Sequence, residues 1–205
     1  MNKIISVIFL LLPILLKAQI NESLYVLEGN LSYSSNSSLT WIDYIAENVE
    51  SKTNTFRIQP KFGRFINETS LLGIGLAYQN TKMKVLDDQE ANSNSFSINP
   101  YFSHYYKISE NFYFTSNITL SFGFGKETDF NDNEFNSSTI GISGQPGISY
   151  FLNNHWALKT TFGKIYYSNT KTETYTGENK NKDSSDDFGI NLSMDSFSFG
   201  ASYFF

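Results

Sequence analysis

Cysteine is absent, which excludes disulfides, thiol catalysis, cysteine metal sites and a lipidated anchor cysteine. Histidine occurs only twice, too little for a histidine-rich metal centre. Positive charge is in the minority: Lys and Arg number 15 against 20 Asp and Glu, for a net charge of -5. With no basic stripe either, a nucleic-acid partner is not expected. Past the N-terminal stretch there is no apolar run of about 18 residues, so no membrane-spanning helix is expected. No spacing matches an EF-hand.

What is present is aromatic. There are 19 Phe and 13 Tyr, yet the mean hydropathy is -0.30, because Ser, Asn, Thr and Gly accompany them. That mixture fits half-apolar alternating strands. The chain opens with Lys3, an apolar run 4–16 and then Lys17-Ala18-Gln19, the layout of a secretory signal peptide cleaved after Ala18. Cleavage removes Lys3 and Lys17, so Lys+Arg falls to 15 - 2 = 13 against 20 acids, a net charge of -7. Residues 19–205 suit a single domain.

The last nine residues set the pattern. Phe197, Phe199, Ala201, Tyr203 and Phe205 share one face, and Ser198, Gly200, Ser202 and Phe204 the other. Seven earlier stretches alternate likewise, beginning near residues 24, 54, 72, 96, 112, 140 and 156. The segments Phe56-Arg-Ile-Gln-Pro-Lys-Phe62 and Phe96-Ser-Ile-Asn-Pro-Tyr-Phe102 match at Phe, Ile, Pro and Phe, and 142–148 is a weaker third copy. A repeating hairpin implies an up-and-down barrel. Because proline lacks a ladder donor, bulges are expected at Pro60, Pro100 and Pro146. In the eighth strand the apolar parity switches between Met194 and Phe197, which predicts a one-residue bulge near 195–196. Connections alternate: short at 67–69, 109–111 and 153–154, long and polar at about 35–53, 83–95, 125–138 and 169–187. The reading is all-β, an eight-stranded antiparallel transmembrane β-barrel.

Alternation leaves open which face points inward; volume decides it. The large apolar side chains are too many for the interior of an eight-stranded barrel, whereas the Gly, Ser, Thr and Asn of the other face fit. The apolar face therefore meets lipid. Tyr25, Tyr33, Tyr78 and Trp156 then fall at strand ends, where an aromatic girdle belongs.

Signal peptide, eight strands, alternating connections and the Tyr203/Phe205 ending together resemble the small bacterial outer-membrane β-barrels of the OmpA/OmpX type. The resemblance implies a Gram-negative outer-membrane location and a cell-surface, monomeric, non-enzymatic barrel without a cofactor or a peptidoglycan-binding domain. It also implies that Tyr203 and Phe205 are the signal read by the barrel assembly machinery. Outer-membrane lipids and lipopolysaccharide are the implied partners. The expected role is structural or surface-interacting, through long extracellular loops that could take an unidentified ligand; a small porin-like pore through the lumen is the alternative.

Candidate site residues follow. Glu28, Arg57, Lys61 and Lys159 should form a lumen charge cluster, with Glu28 paired to a cation because an unpaired buried charge is costly. His104 and His155 sit near short turns and read as interfacial anchors, not catalysts. In the first long loop Leu39, Ile42, Ile45 or Ala46, and Val49 are spaced like one helix face, and Trp41 and Tyr44 are candidate contacts. Acidic clusters near 87–90, 129–134 and 183–187 are oxygen-rich and could hold Ca²⁺.

Overall fold

The structure, a computed structural model, describes residues 24–42, 47–85, 89–130, 133–176, 179–192 and 198–205. The expected signal peptide, Tyr44 and the expected bulge at 195–196 lie outside them. Ten strands are present: β1 (Tyr25–Ile42), β2 (Glu47–Phe65), β3 (Ser70–Val85), β4 (Gln89–Lys107), β5 (Phe112–Thr128), β6 (Glu134–Phe151), β7 (Trp156–Thr161), β8 (Lys164–Thr176), β9 (Asn179–Asn191) and β10 (Ser198–Phe204). Both β7 and β8 run along β6, and β10 and β9 run along β7 and β8 in turn. These four segments therefore make two long staves. With β1–β6 they close an eight-stranded antiparallel barrel, sealed by β10 against β1.

The alternation turns outward as volume requires. Leu27, Leu31, Ile58, Ile74, Leu76, Ile118, Leu120 and Phe122 are all exposed, although such side chains are normally buried. They form a continuous apolar belt. From Tyr25 to Tyr33 the belt runs about 26 Å along the strand, or roughly 20 Å of height at the usual tilt, somewhat less than the ~25 Å apolar band of transmembrane barrels.

The strands do not stop at the belt. The first six are 16–19 residues long, where about ten would cross a membrane. The stretches read as long polar loops are largely paired: the β1–β2 ladder continues from Ser35↔Asn54 to Ile42↔Glu47. The helix expected over 39–49 is corrected with it, since Leu39, Thr40, Trp41 and Ile42 are strand residues facing Glu50, Val49, Asn48 and Glu47. Ladder hydrogen bonds need no apolar face. Polar strands with water on both sides carry no alternation to read.

The prolines also behave differently from expectation. At Pro60 the β2–β3 pairing skips two residue pairs and resumes in the same register, Ile58↔Tyr78 and then Lys61↔Gly75. At Pro100 the β4–β5 pairing does the same, from Ile98↔Phe122 to Tyr101↔Thr119. The missing donor is absorbed as a ladder gap, not a bulge. Only Pro146 faces a bulge, and it lies on the partner stave: Gly147 pairs with Thr161 and Gly144 with Ile165, one residue out of step, with Gly163 between them at φ 66°.

The buried core lies inside the barrel, at the short-turn end. Each stave contributes to it, with Val26, Phe65, Leu71, Tyr105, Tyr113, Phe151, Ala157 and Phe204 at one level and Tyr101 a second residue from β4, all 5% exposed or less. Five of these rings form a closed circuit of contacts, Phe65–Tyr105–Tyr113–Phe151–Phe204 and back to Phe65, with centroids 4.8–6.3 Å apart. This is an aromatic floor across the lumen. It corrects the expectation that only small and polar residues fill the interior.

Candidate functional site: the lumen and its rims

A polar layer rests on the floor. Ser103, Thr115, Ser149 and Ser202 are fully buried there, one each from β4, β5, β6 and β10. Glu28 joins them from β1, opposite Lys61 on one side and Ser202 on the other. Lys159 reaches in from β7 and donates to both Glu28 oxygens, at 3.1 and 3.4 Å. Glu28 is buried and Lys159 nearly so, so the attraction is little screened by water. Lys61 Nζ lies 5.5 Å from the Tyr101 ring and Lys159 Nζ 5.6 Å from the Tyr105 ring, so aromatic faces hold both ammonium groups. Tyr101 in turn covers Gly73: a Cβ there would fall 2.5 Å from its ring and from the Phe62 carbonyl.

Above this layer the lumen opens into a cavity of about 540 Å³. Its neutral lining mixes amide and hydroxyl groups, including Asn99, Asn117, Gln145 and Ser97, with a few apolar residues such as Leu76 and Ala201. Arg57 and Lys164 stand in its wall above Lys61. Gln59, with its amide oxygen turned to the guanidinium, accepts from Arg57 at 2.6 and 3.2 Å. Lys164 Nζ sits 5.0 Å from the Tyr166 ring. The structure thus places Glu28, Arg57, Lys61 and Lys159 in one chamber, and adds Lys164. The sequence reading missed Lys164 because the bulge at 162–163 reverses the inward parity after Thr161.

The outer rims are aromatic. At the short-turn end Tyr25 stacks on Phe62 and Phe205, Phe205 on Tyr203, and Tyr203 contacts Trp156, at 5.0–6.0 Å. Main-chain bonds between Tyr25 and Phe205 (2.8 and 3.0 Å) fix the C-terminal residue to the first strand. At the upper edge each tyrosine donates its hydroxyl to the next polar residue: Tyr33 to Asn54 (3.3 Å), Tyr78 to Asn94 (3.0 Å) and Tyr167 to Asp186 (2.7 Å). Outward lysines follow above, with Lys82 and Lys84 on Glu90 and Lys126 on Glu134. His104 meets Ser70 (3.1 Å) and Tyr106, and His155 donates from Nδ1 to the Phe204 carbonyl (2.9 Å), both at the short-turn end. Trp41 is placed near the tip of the first hairpin, paired with Asn48. Among the described residues no group of three or more acidic or histidine side chains is gathered for a metal.

A closed eight-stranded barrel with an apolar belt, aromatic rims and a polar lumen defines the class: a small outer-membrane β-barrel. The chain is similar in fold to the outer membrane protein OprG from Pseudomonas aeruginosa, with a TM-score of 0.58 and 15% identity over 93% of this chain and 99% of that one. No protein-family profile and no curated protein sequence matches it.

Proposed function

We propose that this protein is a non-enzymatic, non-conducting outer-membrane barrel of the OmpA/OmpX kind, with a structural or surface-interaction role carried by its extracellular hairpins. The observation that supports this reading is the floor. All eight staves supply a buried side chain at the periplasmic end, and five of those rings form a closed circuit of contacts, so bulky side chains crowd the lumen below the Glu28 layer. The strands also extend far past the belt, roughly 30 Å along β1 from Tyr33 to Ile42. Such paired hairpins hold a surface above the membrane with less entropy to lose on binding than open loops.

Lipopolysaccharide is the partner the outer surface fits best. Tyr33, Tyr78 and Tyr167 mark the headgroup level, and outward Lys82, Lys84 and Lys126 stand beyond it, where lipid phosphates lie. Tyr203 and Phe205, side by side on the lipid face, serve as the assembly signal.

Bilayer recording tests the reading. The refolded wild type is expected to be silent, and Tyr105→Ala with Phe204→Ala, which removes two rings of the floor, is expected to conduct. Discrete wild-type currents whose selectivity changes in Lys61→Glu would replace this proposal with the pore.

A further inference from the structure

We infer that the lumen chamber is a binding cup for a small oxyanion, a carboxylate or phosphate compound that enters from outside. The inference goes beyond the surface role proposed above and does not depend on it. Charge balance is the first argument. Among the described residues the chamber is lined by four cations, Arg57, Lys61, Lys159 and Lys164, and one carboxylate, Glu28. Glu28 is engaged by Lys159 at both oxygens and faces Lys61 across the β1–β2 ladder, so one carboxylate is shared by two cations while Arg57 and Lys164 add two more positive charges to the chamber wall. Arg57 acts electrostatically on both Lys61 and Lys164 as a like charge. Asp187, on β9, is held by the Tyr166 hydroxyl.

Geometry is the second argument. The cations are not splayed into bulk water. Lys61 and Lys164 lie on aromatic faces and Arg57 is held by Gln59, so the positive groups are fixed around one space before any ligand arrives. A volume of about 540 Å³ lies within the range of small-molecule sites. Amide and hydroxyl groups of Asn99, Asn117, Gln145 and Ser97 are also in the lining, able to satisfy the polar remainder of a ligand. The aromatic floor makes the chamber blind, so a ligand leaves by the side it entered. Within so narrow a polar space, attraction between an oxyanion and three fixed cations is less screened than in water, and a guanidinium suits planar or tetrahedral oxyanions.

The test is titration calorimetry on the refolded mature protein in neutral detergent, with pyrophosphate and succinate as separate probes and glucose as the uncharged control. One or both anions should bind saturably at one per barrel, weaken as sodium chloride rises, and so identify phosphate or carboxylate as the preferred headgroup. Arg57→Gln with Lys61→Gln should lower affinity at least about tenfold. Lys82→Gln with Lys84→Gln, on the outer face, should leave it unchanged. Circular dichroism and heat-modifiable gel mobility confirm that each variant is folded. Should the double lumen variant not fold, Lys164→Gln, higher in the wall and outside the Glu28 layer, carries the same expected loss. No saturable binding of either anion overturns the proposal, as does binding that survives the lumen substitutions or is lost with the outer lysines.

Discussion

At the scale of single residues, the costliest element is the Glu28–Lys159 pair. Both groups are nearly removed from water, at 8% and 12% side-chain exposure, so each depends on the other. Glu28→Gln leaves Lys159 an unmatched buried cation beside Lys61 and should cost about 3–5 kcal/mol in urea unfolding from lipid vesicles. Adding Lys159→Met should recover much of that loss. If the single substitution is as stable as wild type, the pair contributes nothing. Gly73 is a second sensitive point. An added methyl meets the Phe62 carbonyl and the Tyr101 ring at 2.5 Å, and backbone cannot swing aside as a side-chain tip can. Gly73→Ala should destabilise by about 1–3 kcal/mol by the same measurement. The sequence showed Glu28 and its need of a cation. It could not say which cation, because Lys159 is 131 residues away and only barrel closure brings it there.

At the scale of elements, the seventh stave breaks where Gly163 adopts a positive φ opposite Pro146. A side chain there is strained, and a Cβ would also sit 3.1 Å from Leu192. Gly163→Ala should cost about 1 kcal/mol or more and loosen the join between β7 and β8, visible as faster amide exchange at Thr161 and Lys164. The long hairpins beyond the belt are held by exposed ion pairs. The Lys84 ammonium, hydrogen-bonded to Glu90, holds that carboxyl below the ordinary carboxylate range. A carboxylate whose pKa is depressed by folding contributes above its unfolded value and loses that contribution as pH falls through its folded value. Acidification below about pH 4 should therefore speed exchange in the β3–β4 hairpin more in wild type than in Glu90→Gln, and 1 M salt should mimic the acid. These hairpins escaped the sequence reading because water bathes both faces. Nothing selects alternation there, and polar ladders look like loops.

For the whole molecule, closure is the organising event. Among the described residues, the ladder joining β1 to β10 runs from Val26↔Phe204 to Gly29↔Ala201. The floor lies at that seam, where Val26 and Phe204 meet the other core residues, so packing inside supports the closure. The belt and floor below the hairpins form a complete unit. Replacing residues 36–53 with a two-residue turn should leave a barrel that still folds in lipid and shows heat-modifiable mobility. A variant that no longer folds would place the hairpins in the folding core instead.

The sequence by itself determined the period-2 pattern, the eight staves, the short turns and the outward apolar face. All of these follow from local alternation and from the volume a small barrel can hold. Tertiary structure alone decided the floor and the chamber above it. Val26, Tyr113 and Phe204 each sit on the polar parity of their own strand, where one large side chain reads as an exception. Large apolar residues on that parity, recurring at the short-turn end of several staves, were the signal that could have revealed them. They become a layer only when closure and register bring staves far apart in sequence to one level. The same closure sets Arg57, Lys61 and Lys164 around a common space, because registers between distant strands are fixed by pairing and bulges that composition and alternation do not encode.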